Sequence, residues 1–258
     1  MSLFNRLRAA GLIVPTVFAL GALAVLVSLG TWQLNRKVWK DGLLADIAAR
    51  KSAAPMQLRD ALAIAAKQPA LADYLRVRVT GTFDHDQERH VYAPRNAGPG
   101  WHVYTLLMPE DNAAPLFINR GWVAEAVKEP NTRAAGQLPG IVTVTGIARL
   151  PEVKATFTPD NDFKTNRWYW RDLDGMRWGM NGPPSAAALA QMRLRAYAPF
   201  ALDADAVPEN PGGSPKGGVT YVALSNRHLE YAGTWYGLAL TLIGVFAAFA
   251  RGRLRAVA

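Results

Sequence analysis

The chain has 258 residues, half of them hydrophobic, with a formal net charge of +9 and no cysteine. Without cysteine there are no disulfides, thiolate metal sites, cysteine nucleophiles or c-type haem attachment, and so apolar a composition is not that of a disordered chain. The basic excess does not describe a nucleic-acid binder, whose charge concentrates on the folded body. Eight of the nine net charges come from Arg6 and Arg8, from Arg36, Lys37 and Lys40, and from Arg251, Arg253 and Arg255, all beside two apolar stretches.

Residues 1–10 form a short basic N-terminus. Residues 9–34 follow without a charge, 26 positions in all, and a helix needs about 20 to cross the hydrocarbon core. A spanning helix is expected over 11–34. The rival reading is a signal peptide cut after the small residues Ser28 and Gly30, but the apolar run exceeds the usual core of about 7–15 residues. Leu34, Val38, Leu43, Ile47 and Ala48 continue a rough apolar stripe, so helix is expected to about residue 51, ending before Ala54-Pro55 because the residue preceding proline avoids helical geometry.

Residues 52–206 read as one α+β domain. A short helix is expected at 57–67, then the period falls to two. In 75–80, Leu75, Val77 and Val79 alternate with Arg76, Arg78 and Thr80 and should be the buried face. Further strands are expected at 88–93, 101–108, 115–123, 142–149, 168–171 and 195–202, separated by Gly, Pro, Asn and Asp. Such strands suggest an antiparallel sheet or open barrel. Short helices fit 172–180 and 185–193. Residues 207–227 approach the second apolar segment, and 207–218, rich in Gly and Pro, read as a flexible linker. A second spanning helix is expected over 228–250, with no charge in 231–250, and a basic tail over 251–258. The short basic flanks place both termini in the cytoplasm and the central domain in the periplasm by the positive-inside bias.

The chemistry search is sparse. The histidines are His85, His90, His102 and His228. Asp84-His85-Asp86 with His90 could supply a metal set, although exposed turn groups are the commoner reading. Met176 and Met180 are one helical turn apart, a spacing that suits Cu(I) less often than core packing. No Gly-x-Ser-x-Gly elbow appears. The Gly-Gly-Ser-Pro-Lys-Gly-Gly run lacks the Gly-Lys-Ser/Thr ending of a phosphate loop, and no dinucleotide fingerprint is present. The unusual stretches lie at the membrane ends: residues 30–40, with Trp32 and Trp39 among three cations, and residues 225–239, with His228, Trp235 and Tyr236. Trp, Tyr, Lys and Arg suit an interfacial belt, but an ionisable His228 at the head of a membrane helix needs a partner or a task. On a helical wheel Gly233, Gly237, Gly244 and Ala248 share one side. That side is expected to pack on the first helix, with His228, Ala232, Trp235, Ala239 and Phe246 facing away.

These two stretches, with Ile118-Asn119-Arg120-Gly121-Trp122-Val123 between them, carry a resemblance. Gly-Thr-Trp-Gln-Leu-x-Arg-x-x-Trp-Lys follows the first helix. Then come Gly81-Thr82-Phe83, Asn-Arg-Gly-Trp-Val, Val144-Thr145-Gly146, Arg149-Leu150-Pro151-Glu152 and Asn166-x-Trp168 with Asp172. His-Leu-x-Tyr-Ala-x-Thr-Trp-Tyr-x-Leu-Ala opens the second helix. In this order the set resembles the Surfeit-locus protein one (Shy-type) family of cytochrome oxidase assembly factors, nearly end to end.

The resemblance implies an inner-membrane, non-enzymatic factor for a haem-copper terminal oxidase. It implies haem a bound at His228, as axial ligand, with Trp235 beside it, and haem delivery to the catalytic oxidase subunit. The implied partners are that subunit, haem A synthase and membrane lipid, with no nucleic acid. In the Asn-Arg-Gly-Trp strand, Asn119 and Gly121 could make a bulge while Arg120 and Trp122 stack, a structural role without chemistry. The rival functions are a cofactor-free scaffold for oxidase subunits and a membrane-anchored periplasmic hydrolase or metalloenzyme, for which no catalytic set is found.

Overall fold

Two stretches of chain, Met1–Asp46 with Ala223–Ala258, and Ile47–Val222, form separate units. The structure, a computed structural model, describes residues 3–96, 98–179, 197–220 and 226–256. The helix expected at 185–193, Met180 and the start of the strand expected at 195–202 lie outside them.

The first unit is helical. Helix α1 (Leu3–Ala9) stops at Gly11, whose φ of +64° suits a residue without Cβ. Helix α2 (Ile13–Ser52) follows without a break. Its Pro15 lies in the first turn, where backbone N–H groups have no intrahelical acceptor to lose. The last long helix, α5, covers His228–Arg255. Both α2 and α5 are long and apolar enough to cross a membrane, and only 6% and 11% of their most apolar windows are buried within the protein. A core helix of a water-soluble protein would bury most of such a face, so hydrocarbon is the solvent these surfaces fit.

The helices pair through a different face from the one the wheel predicts. Ala232 and Ala239 are 1% and 4% exposed. They share a side with His228 and Trp235, so this side is the packed one. A Cβ built on Gly233, Gly237 or Gly244 meets nothing within 4 Å. The small residue that permits close approach is on the other helix: a Cβ on Gly30 would lie 2.9 Å from the Tyr236 ring. Tyr236 decides the facing because its hydroxyl needs a polar partner among apolar neighbours, and Thr31 Oγ1 supplies one at 3.1 Å.

The second unit is a sheet closed into a barrel. Its strands are β1 (Met56–Gln57), β2 (Arg76–Tyr92), β3 (Gly100–Pro109), β4 (Leu116–Ala124), β5 (Ile141–Arg149), β6 (Arg167–Trp168) and β7 (Ala201–Ala204), with helices α3 (Leu58–Lys67) and α4 (Leu173–Trp178). The ring runs β2-β3-β4-β7-β5 and returns to β2. The α+β architecture between two terminal apolar helices is the one expected from sequence; closure is the addition, and the β4–β7 pairing is parallel.

Closure depends on β2. The strands expected at 75–80 and 88–93 are one 17-residue strand. Its first half pairs with β5, from Arg76–Ile147 to Thr82–Ile141. It pairs with β3 from Gly81 onward, and the register slips between Asp84 and Glu88. An irregularity of that kind bends a strand and lets it serve two neighbours. The acidic turn expected around His85 is this slip.

Val77 and Val79 are 0% and 3% exposed, with Arg78 outside, as the alternation predicts. They join Phe83, Leu107, Ile118, Phe200 and Leu202 in the barrel interior, which α3 caps with Leu58, Ala61 and Ala65. On the opposite surface Tyr104, Leu106 and Phe117 pack under Trp168, Leu173 and Met176. β3 is therefore covered on both faces, which explains its nearly continuous burial. Met176 is a core residue at 0% exposure.

The segment 207–218, expected as a linker on its Gly and Pro content, is bonded to the barrel instead. Trp122 and Lys216 exchange backbone hydrogen bonds, each of 2.9 Å, and Asn210 Nδ2 donates to Arg120 O and Pro215 O. Gly121 makes this contact possible. Its φ is +131° and an added Cβ would lie 2.1 Å from Lys216 O.

Candidate functional site

The polar end of the helix pair is built from α2 residues 30–41 and the first turns of α5. Gln33 stands near the end of the uncharged stretch of α2, and its Oε1 is 2.8 Å from His228 Nδ1. A carbonyl oxygen only accepts, so Nδ1 carries a proton, and in the neutral imidazole the lone pair then belongs to Nε2. Among the described residues no hydrogen bond engages Nε2. Two residues before α5 begins, Asn226 Nδ2 donates to Asp41 Oδ1 at 2.6 Å, and Lys37 Nζ lies 2.5 Å from Asp41 Oδ2. Arg227 pairs with Glu230 at 2.7 Å. The Arg36 guanidinium sits 3.9 Å from the Trp39 ring centroid.

His228 and Trp235 are seven residues apart, about 10 Å along the helix. Both are half-buried on the packed side, not on an open side as the wheel predicts. Gln33 and Thr31 are the residues of this cluster that sequence reasoning missed, while Tyr236 was read only as part of an interfacial belt. The two amides that close the long uncharged run, Gln33 and Asn35, were the signal for Gln33.

The other histidines do not assemble. Among the described residues no three His, Asp or Glu groups stand close enough to hold a metal ion. His85 Nε2 meets Leu138 O at 3.0 Å. His90 Nε2 is 2.6 Å from Glu88 Oε1, and Arg133 donates to the same oxygen. Burial raises the Glu88 pKa, but the bonds from His90 and Arg133 hold it below the usual carboxylate range. His102 lies apart, beside Tyr104, Asn119, Arg171 and Asp203. Its pKa is pulled to about 4 by burial, with Arg95 and Arg171 adding to the shift and Asp203 opposing it.

In the Asn-Arg-Gly-Trp strand the bulge is real. The β3–β4 register runs Val103–Gly121 and then Tyr104–Asn119, skipping Arg120. Arg120 and Trp122 do not stack on each other. The Arg120 guanidinium lies 4.9 Å from the Phe83 ring and the Arg95 guanidinium 5.2 Å from the Trp122 ring, because a bulge turns neighbouring side chains apart. Asn119 Nδ2 donates to Asp203 Oδ1 at 2.9 Å and ties β4 to β7.

The SURF1 family profile matches residues 20–240, from within the first apolar helix to within the second. This chain belongs to the SURF1 family. It is 34% identical over 242 residues to human Surfeit locus protein 1, covering 87% of this chain and 74% of that one. The mouse protein of the same name is 35% identical over 231 residues, with 83% and 69% covered. A SURF1-like protein from Monosiga brevicollis is 37% identical over 230 residues, with 84% and 81% covered. The matched span contains both Gln33 and His228, so this SURF1 family member keeps its candidate site inside the region shared with the family.

Proposed function

We propose that the protein is an assembly factor for a haem-copper terminal oxidase that carries haem a on His228 and Trp235 and assists its transfer to the catalytic oxidase subunit. Membership of the SURF1 family supports the general assembly role. One observation supports the cargo: Gln33 accepts the Nδ1 proton of His228, the arrangement that orients a metal-binding imidazole and leaves Nε2 as the donor atom. The residues present therefore fit a haem iron. The haem supplies the iron centre and a flat apolar ring. His228 would supply a nitrogen ligand, Trp235 an aromatic surface, and Gln33 would fix Nδ1 as the nitrogen that keeps its proton. Because His228 lies on the packed side of α5, cargo would be held at the edge of the helix pair.

The proposed setting is the bacterial inner membrane. Two crossings with basic flanks kept inside would leave both termini in the cytoplasm and the barrel in the periplasm, where a catalytic oxidase subunit and haem A synthase would meet it. No enzymatic step is assigned. Alkaline phosphatase fused near Asn210 should be active and fused after Ala258 inactive; the reverse would overturn the topology. Protein purified from haem-a-producing cells should show a Soret band that weakens as pH falls and protons compete for Nε2. His228→Ala should lose the band while remaining inserted. An unaltered band in that variant would refute haem ligation by His228, and a colourless parent protein would favour a cofactor-free scaffold.

A further inference from the structure

The barrel interior contains more positive charge than its carboxylates answer. Arg120, Arg133 and Glu88 are 1%, 6% and 4% exposed. Arg133 donates to Glu88 Oε1. Among the described residues Arg120 has no ion-pair partner. Its Nη2 donates to Gly136 O and reaches Asn210 Oδ1 at 3.4 Å. Its Nε and Nη1 are buried without any hydrogen-bond partner. Burial pulls the guanidinium pKa down to about 10, Glu88 opposing the shift and Arg133 adding to it. A buried guanidinium with open donors beside a second cation is costly unless an acceptor of negative charge completes it.

Arg120 also lines a cavity of about 80 Å³. Phe83, Ile118, Leu138 and Val144 give it apolar walls, while Pro208 and Asn210 of the bonded segment close one side. Asp205 stands at the same cavity but is engaged by Arg76 at 2.5 Å. Thr143, Thr145 and Glu209 complete the lining on its polar side. An anion with an apolar body would satisfy both the open donors and the walls. The geometry points to a binding site for a small carboxylate with a short apolar chain, its oxygens on the Arg120 guanidinium and its chain among Phe83, Ile118, Leu138 and Val144. The site lies wholly within the barrel unit and is independent of haem.

The test uses the full chain in detergent at low salt, with butyrate as the probe and butyramide as its neutral isostere. Binding is read by saturation-transfer NMR on the probe's methyl protons and by the shift in unfolding temperature. Butyrate should bind, and butyramide should bind at least about tenfold more weakly, since it forgoes a charge-assisted bond. Arg120→Gln should lose that preference. Should Arg120→Gln not fold, Leu138→Trp fills the cavity from its wall while leaving the guanidinium in place, and should abolish the butyrate signal. Three results would overturn the proposal: no butyrate binding, equal binding of butyramide, or a butyrate signal that survives Leu138→Trp.

Discussion

The two units handle polar groups in opposite ways. In the helix pair, polar side chains gather at the ends of long apolar surfaces, and His228 is held by one amide. In the barrel they are inside: Glu88, His90, Arg120 and Arg133 are all at least nine-tenths buried. A helix in lipid satisfies its backbone internally and can leave its side chains plain. A small closed barrel must fill its interior, and every charge placed there has to be answered by a neighbour. Single substitutions should therefore hurt the barrel through buried charge and the helix pair through shape.

The sharpest break is expected at Val77, which is 0% exposed. Val77→Asp places an unpaired carboxylate in the interior and should cost about 4 kcal/mol or more. Arg78→Asp, one residue along and outside, should stay within about 0.5 kcal/mol. Denaturant titrations in detergent measure both. Equal losses would mean that the strand has two buried faces.

Next comes His102. Its pKa falls from 6.5 to about 4 on folding, so between those values the unfolded chain binds the extra proton. The stability contributed by keeping the imidazole neutral is complete above pH 6.5 and is lost as pH drops to 4. The shift corresponds to about 3 kcal/mol. His102→Gln should remove this part of the acid sensitivity, and an unchanged pH profile would show that His102 is not desolvated.

Much of the barrel was legible because period-two alternation is a local signal. The inward position of Val77 and Val79 follows from it, and the spans of β3, β4 and β5 from the Gly, Pro, Asn and Asp that separate them. Closure was not, because it depends on the slip between Asp84 and Glu88, and a sequence of acids and histidine reads there as a turn. The segment 207–218 was misread for a related reason. Glycine and proline mark chain that leaves regular structure, yet Gly121 across the contact is what lets Lys216 dock. In the helix pair the spans were plain from length and charge. The facing was not, since small residues occur on both sides of α5 and the choice falls to Tyr236, whose partners Gly30 and Thr31 are 206 and 205 residues away in sequence.

That facing gives the third prediction. Gly30→Leu collides with the Tyr236 ring and should weaken helix pairing by about 2 kcal/mol, as overpacking does. Gly237→Leu should leave the pair intact because its Cβ meets nothing within 4 Å. The chain has no cysteine, so spin labels on Leu20→Cys and Leu240→Cys report the inter-helix distance without background. A distance that broadens with Gly237→Leu and not with Gly30→Leu would restore the glycine face as the contact.

The smallest effect sought is also the most specific to the proposed cargo. Gln33 touches no iron; it fixes which nitrogen of His228 carries the proton. Gln33→Leu keeps the helix and nearly the same volume but removes the acceptor, so the imidazole can turn or change tautomer. Outer partners of metal-bound histidines set affinity by factors of about 10–100, and the lower end suits a single neutral hydrogen bond. Haem affinity, measured by titrating apoprotein and following the Soret band, should therefore fall about tenfold in Gln33→Leu. Gln33→Glu keeps an acceptor and should retain most of the affinity, so the pair separates positioning from packing. Identical affinities in the parent, Gln33→Leu and Gln33→Glu would mean that the Gln33–His228 bond does not orient the ligand, and His228 would then have to be judged as an interfacial polar group at the head of α5.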